Sequence, residues 1–73
     1  MSQSIRDRAL SIIELLVKHI DGLALAEISH QLDIPKSATH RTLSDLKDAG
    51  YIKQDGDGGN YALTTKLLSL GLE

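Results

Sequence analysis

Lys36-Ser37-Ala38, His40-Arg41, Ser44 and Lys47 gather hydrogen-bond donors into one stretch of the chain. Lysine offers a point charge to an anionic oxygen. Arginine presents a planar fork that matches a phosphate, or the paired acceptors on a guanine edge, through two parallel bonds. Ser37 and Ser44 add hydroxyls, and His40 adds ring nitrogens that donate or accept. Ala38 is small enough to let the backbone come close to a groove. Such a set suits recognition of phosphate and of base edges. Over residues 36–53 the balance is Lys36, Arg41, Lys47 and Lys53 against Asp45 and Asp48, although the whole chain carries a net charge of −2. That total counts against a nonspecific nucleic-acid coat but leaves room for one basic face. The plain alternative is an ordinary solvated helix surface.

Other chemistries find little support. The cysteine count is 0, which excludes disulfides, thiolate zinc sites and thiol catalysis. His19, His30 and His40 include no pair at i, i+4, so no metal site is expected. Asp55, Asp57 and Asn60 suggest a calcium loop, but the twelfth position, where a bidentate glutamate belongs, is Lys66. The glycines at 56, 58 and 59 come without the lysine of a phosphate-binding loop and read as a turn. No nucleophile has a base set beside it by spacing, so neither an enzyme nor a cofactor is expected. No stretch approaches a membrane span. The apolar residues from Ile5 to Ile20 are broken by Arg6, Asp7, Arg8, Glu14 and Lys18, unlike a signal peptide. A cytoplasmic location is the resulting expectation.

The donor cluster needs elements to hold it. At 73 residues the chain has room for one domain of modest stability. Its apolar share of 41% comes mostly from Leu, Ile and Ala, with Tyr51 and Tyr61 the only aromatics. Aliphatic stripes of this kind predict packed helices and little sheet. Ile5, Ala9, Ile12, Leu16 and Ile20 fall on one helical face, predicting a helix over 4–20 with Ser4 as N-cap and Asp21-Gly22 as its stop. Leu10, Ile13 and Val17 form a second stripe, which either widens the core face or meets another protomer. Leu23-Ala24-Leu25 predicts a short strand or bridge.

A short helix over about 25–32 follows, with Leu25, Ile28 and Leu32 inward and Glu27, His30 and Gln31 outward. Asp33-Ile34-Pro35 is a turn, since proline disfavours helix before itself and suits a helix start. The donor cluster then lies on a helix over about 36–49. On it Thr39, Leu43 and Leu46 share one side, with Thr42 at the edge, and Ser37, Arg41, Ser44 and Asp48 lie opposite. Two short β-prone runs around residues 55–59 predict a hairpin. Thr64 or Thr65 caps a last helical stretch, Lys66 to Leu72. Ile12, Leu16, Ile28, Leu32, Leu43 and Leu46 are expected to share one core.

A short helix, a tight turn and a second helix bearing donors make a helix-turn-helix, whose second helix enters the major groove. The hairpin behind it is a wing. The predicted fold is mainly α: a winged helix-turn-helix of three helices, a two-stranded β wing and a short C-terminal helix. One domain over 1–73 is expected, with the helix-turn-helix at about 25–49, the wing at about 51–63 and a linker helix from about 65. Negative net charge and the acidic wing keep a different class open: a winged-helix protein-interaction module that does not bind DNA.

Several stretches, taken in order, carry a family resemblance. They are Arg8-Ala9-Leu10 with Ile12-Ile13-Glu14-Leu15-Leu16, Gly22-Leu23-Ala24-Leu25-Ala26-Glu27-Ile28, and Pro35-Lys36-Ser37 with His40-Arg41. Gly50-Tyr51-Ile52, Asp57-Gly58-Gly59 with Tyr61-Ala62-Leu63, and Lys66-Leu67-Leu68 with Leu70-Gly71 complete the set. From Ile5 to Leu72 the chain thus resembles the N-terminal domain of IclR-type transcriptional regulators. The resemblance implies sequence-specific binding of double-stranded DNA in bacterial transcriptional regulation, by a full-length homodimer on a roughly palindromic operator. It also implies a small-molecule effector bound by a separate C-terminal domain outside this chain, which would make these residues part of a longer regulator.

The sequence departs from the family pattern in places. Ala24 stands where a hydroxyl N-cap usually answers Glu27, leaving half a capping box at a cost of about 1 kcal/mol. Ser29, Asp33 and Thr39 stand for a usual alanine, glycine and valine. Ser29 is expected to bond back to a helix carbonyl, Asp33 to tolerate a left-handed turn, and Thr39 to bury an oxygen. In the wing, Asp55, Asp57 and Asn60 weaken the expected phosphate contact.

Overall fold

The computed structural model describes residues 5–56 and 58–66, without the side chains of Ile5 and Arg6. The elements are α1 (Ile5–Val17), α2 (Leu25–Leu32), α3 (Lys36–Asp48), β1 (Ile52–Gln54) and β2 (Tyr61–Leu63). The mainly helical winged fold expected from the sequence is borne out.

The core forms where the apolar stripes meet. Ile12, Leu16, Ile28 and Leu43 are sealed from solvent, and Leu46, Ile52 and Tyr61 join them. Each fully buried aliphatic side chain contributes about 1.5–3 kcal/mol. The predicted core is present, with Leu32 at its partly buried margin. Ile52 and Tyr61 extend it into the hairpin, so the wing is packed onto the helices as well as tethered by the chain.

α1 ends earlier than predicted. After Val17 the backbone tightens: Lys18 donates its N–H to the Leu15 carbonyl and His19 to that of Leu16, both at 3.1 Å. These i to i−3 bonds are the usual fraying of a last turn. Ile20, counted in the inward stripe, is therefore turned out and 88% exposed. Gly22 does take a positive φ of 88°, but it is not the helix cap. A Cβ there would lie 2.6 Å from the Tyr61 carbonyl oxygen. The glycine is needed because the chain passes under β2. There Leu23 and Tyr61 exchange both backbone bonds, at 2.9 and 2.8 Å, the short bridge that the alternating run suggested. The predicted Ser4 cap lies outside the described residues.

α2 begins at Ala24 without a side-chain cap, as expected. Glu27, released from a capping box, accepts a bond from Gln31 Nε2 at 3.0 Å. Asp33 ends the helix in the left-handed region at φ 53°, ψ 47°. The Ser29 hydroxyl corrects an expectation. It bonds forward across the turn to the Ile34 carbonyl at 2.5 Å, and not back along its own helix. Among the described residues no backbone N–H reaches the Ile34 carbonyl, so the serine hydroxyl supplies the donor that this buried acceptor lacks.

β1 and β2 pair antiparallel with Ile52 opposite Leu63, Lys53 opposite Ala62 and Gln54 opposite Tyr61. Asp55 N–H closes the hairpin on the Asn60 carbonyl at 3.0 Å. Beyond β2, Thr64 accepts from the Lys66 N–H at 3.3 Å, as a helix cap does, and donates its hydroxyl to Gly50 at 2.6 Å. The Lys66 ammonium donates to the Ala49 carbonyl at 2.5 Å and lies 4.9 Å from the Tyr51 ring centre. It thereby serves the carbonyl end of α3, where a cation is favoured. The rest of the predicted last helix, with Leu67, Leu68, Leu70 and Leu72, lies outside the described residues, as does Asp57.

Candidate nucleic-acid interface

Two hydroxyls fix α3 against α2. Thr39 is fully buried, and its hydroxyl lies 3.0 Å from the Pro35 carbonyl and 3.4 Å from that of Ile34. Ser29 reaches the same Ile34 carbonyl from the other side. The turn between the helices is thus held by side chains from both of them. Thr42, also buried, bonds back to Ala38 at 3.0 Å. No buried side-chain nitrogen or oxygen among the described residues lacks a partner.

With Thr39, Thr42, Leu43 and Leu46 turned into the core, the rest of α3 must face out. Lys36, Ser37, His40, Arg41 and Lys47 are exposed, and Ala38 and Ser44 half-buried. The sequence-derived set therefore lies along the unburied surface of one helix. Among the described residues no ion pair involves Lys36, Arg41 or Lys47, and all three are exposed. Asp45 and Asp48, also exposed, bring negative charge to the C-terminal half of the same helix. The N-terminal turns of α3 carry Lys36 and Arg41 ahead of these carboxylates, and it is the N-terminal part of a recognition helix that makes base contacts.

The sequence reading missed one residue. Arg8, on α1, lines a cleft of about 300 Å³ together with Ser37, Ala38, Arg41, Thr42 and Asp45 of α3. It stands beside the inward stripe of α1, and only the packing of α1 on α3 brings it to the donor face. No spacing within the chain signals that.

The wing stands beyond the C-terminal end of α3, its exposed side chains including Lys53, Asp55 and Asn60. Among the described residues no group of His, Cys, Asp and Glu is arranged to hold a metal ion. No helix among them is long and apolar enough to cross a membrane.

Three helices, a tight turn bolted by hydroxyls, a donor-lined third helix and a packed hairpin define a winged helix-turn-helix protein. The family profile of the IclR helix-turn-helix domain matches residues 7–56, and the chain belongs to that family. It is 38% identical over 64 residues to the DNA-binding transcriptional repressor YiaJ of Escherichia coli, covering 88% of this chain and 23% of that protein. Similarity to the transcriptional repressor IclR of the same organism is 30% over 64 residues, again 88% of this chain and 23% of the relative. Among solved structures, HmgR of Pseudomonas aeruginosa superposes with a TM-score of 0.76 at 26% identity, over 88% of this chain and 27% of HmgR. The chain thus spans about a quarter of the length of these relatives.

Proposed function

We propose that this chain binds double-stranded DNA sequence-specifically as the DNA-reading domain of a transcriptional regulator, with α3 in the major groove. The observation that carries the reading is the exposed donor row Lys36, Ser37, His40 and Arg41 on the outward side of a helix whose other side is locked into the core. Arg41 is the candidate base reader, and Lys36 and Lys47 serve phosphates. Ser37 and Ser44 supply hydroxyls, His40 a ring donor, and Ala38 the room for close approach. The domain assignment to residues 1–73, with a linker helix from about 65, belongs to this reading. So does the absence of catalysis.

The same reading extends to a homodimer on a roughly palindromic operator, to a small-molecule effector held by another domain, and to the cytoplasm. Leu10 and Val17 support the dimer: they are 53% and 65% exposed, more apolar surface on α1 than the core uses. A few aliphatic side chains of this kind fall short of the roughly 1,200 Å² of a stable interface, so weak self-association is expected of this domain alone. The net charge of −2 and the exposed Asp55 favour the other class, a protein-interaction module. Binding to random duplex across a salt series separates the two: a DNA reader weakens steeply with salt through counterion release, whereas an interaction module has no affinity to lose.

A further inference from the structure

The cleft between α1 and α3 is lined by two arginines and one aspartate, Arg8, Arg41 and Asp45, with Ser37, Ala38 and Thr42 completing its walls. Arg8 is half-buried and Arg41 exposed. No ion pair between these three groups, or with any other described residue, is formed. Two like charges lining one small cleft repel each other, and a single unpaired carboxylate leaves the site with a net positive charge. An anion seated there would relieve the repulsion. Ala38 contributes little bulk to the wall and Ser37 a hydroxyl on an exposed residue. A tetrahedral oxyanion fits such a site: guanidinium forks match its oxygens in pairs, and the hydroxyl adds a third donor.

We infer that this cleft binds one backbone phosphate of the duplex, with Arg8 as the anchoring charge and Ser37 and Arg41 on the facing wall. The inference rests on the DNA-binding reading and adds α1 to the interface. It has a geometric consequence. A phosphate clamped between α1 and α3 fixes the depth and tilt at which α3 enters the groove, as positioning contacts do. Arg41 has five N–H donors, enough to share the phosphate on one edge and still reach a base with another. Asp45 then acts against binding, because its charge lies in the cleft the phosphate must enter.

The test uses the whole chain, a random duplex and a salt series. Each phosphate contact contributes about −0.9 to the slope of log affinity against log salt. Losing one contact should therefore shrink the affinity drop between about 50 and about 200 mM salt by roughly three- to fourfold. Arg8→Gln is expected to show that change, equally on unrelated sequences, while Arg8→Lys keeps the wild-type slope. Asp45→Asn, at an exposed position, should tighten binding more than Glu14→Gln, which removes an exposed α1 charge outside the cleft. A wild-type slope in Arg8→Gln overturns the inference while the DNA-binding reading stands, even if affinity falls. Equal effects of Asp45→Asn and Glu14→Gln also overturn it. If the wild-type chain shows no salt-dependent duplex binding, both fall together. A free phosphate ion is the other source of the same chemistry. Titration with inorganic phosphate alone, followed by backbone amide shifts around Ser37, is expected to show no saturation at millimolar levels. Saturation there that Arg8→Gln abolishes would assign the cleft to a small ligand and overturn the inference.

Discussion

Replacing Ser29 by alanine removes one of the two hydroxyls that meet at the Ile34 carbonyl. The Ser29 bond is 2.5 Å and the Thr39 bond to that oxygen 3.4 Å, so serine is the stronger donor. Ile34 is 6% exposed, and water has little access to its carbonyl. Loss of a net hydrogen bond costs about 1 kcal/mol, and stranding a buried acceptor raises that to about 1–3 kcal/mol. The retained Thr39 contact places Ser29→Ala near the low end, about 1–2 kcal/mol. For a domain of this size, each kcal/mol lowers Tm by about 4–8 °C.

Thr39→Val should cost less, under about 1 kcal/mol, because the Pro35 carbonyl it leaves still accepts the Thr39 N–H at 2.9 Å. The double variant strips the Ile34 carbonyl of both donors. It should exceed the sum of the single effects by about 1 kcal/mol, within the range of coupled neighbours. Urea unfolding of the four chains, followed by far-UV circular dichroism, measures the cycle. A neutral Ser29→Ala, or strict additivity, would refute the claim that the two hydroxyls jointly hold the turn.

Three further outcomes follow from the same geometry. Gly22→Ala combines a φ of 88° with a Cβ 2.6 Å from the Tyr61 oxygen, so it should destabilise by at least about 1–3 kcal/mol in thermal melts; an unchanged Tm would contradict the close approach. Arg41→Ala should cost about 1–3 kcal/mol of operator affinity and relax the preference at one base pair, read by competition against single-substituted sites; uniform weakening would make Arg41 a phosphate contact only. Replacing Asp55 and Asp57 by asparagine should leave duplex affinity unchanged or raise it, and a large loss in gel-shift titrations would show specific contacts from the wing carboxylates.

The helices were legible because each carries an apolar stripe with a definite stop. α2 matches its predicted span of 25–32, and α3 ends within one residue of expectation. The Asp33 turn was legible from its residue type, since aspartate tolerates the left-handed conformation. What failed were features decided between elements. Ile20 kept the stripe's spacing but fell beyond the frayed end of α1, where periodicity has no meaning. Gly22 was correctly marked as special, yet its demand came from Tyr61, far away in sequence. Ser29 was expected to bond locally and instead served a carbonyl across the turn. Lys66 over Tyr51 and the C-terminal end of α3 gave no sequence signal. The exposed α3 set could be read from composition and wheel position, whereas Arg8 needed the helix packing.

The central claim is that the outward side of α3 meets duplex DNA through its charges, and one comparison tests it most directly. Affinity for a random duplex is measured across a salt series for the wild-type chain and for Lys36→Ala. The wild type should weaken steeply and linearly in log–log form, and the variant should lose about 0.9 from the slope on every sequence tried. Absence of salt-dependent binding in the wild type, or identical slopes for the two chains, would contradict the account.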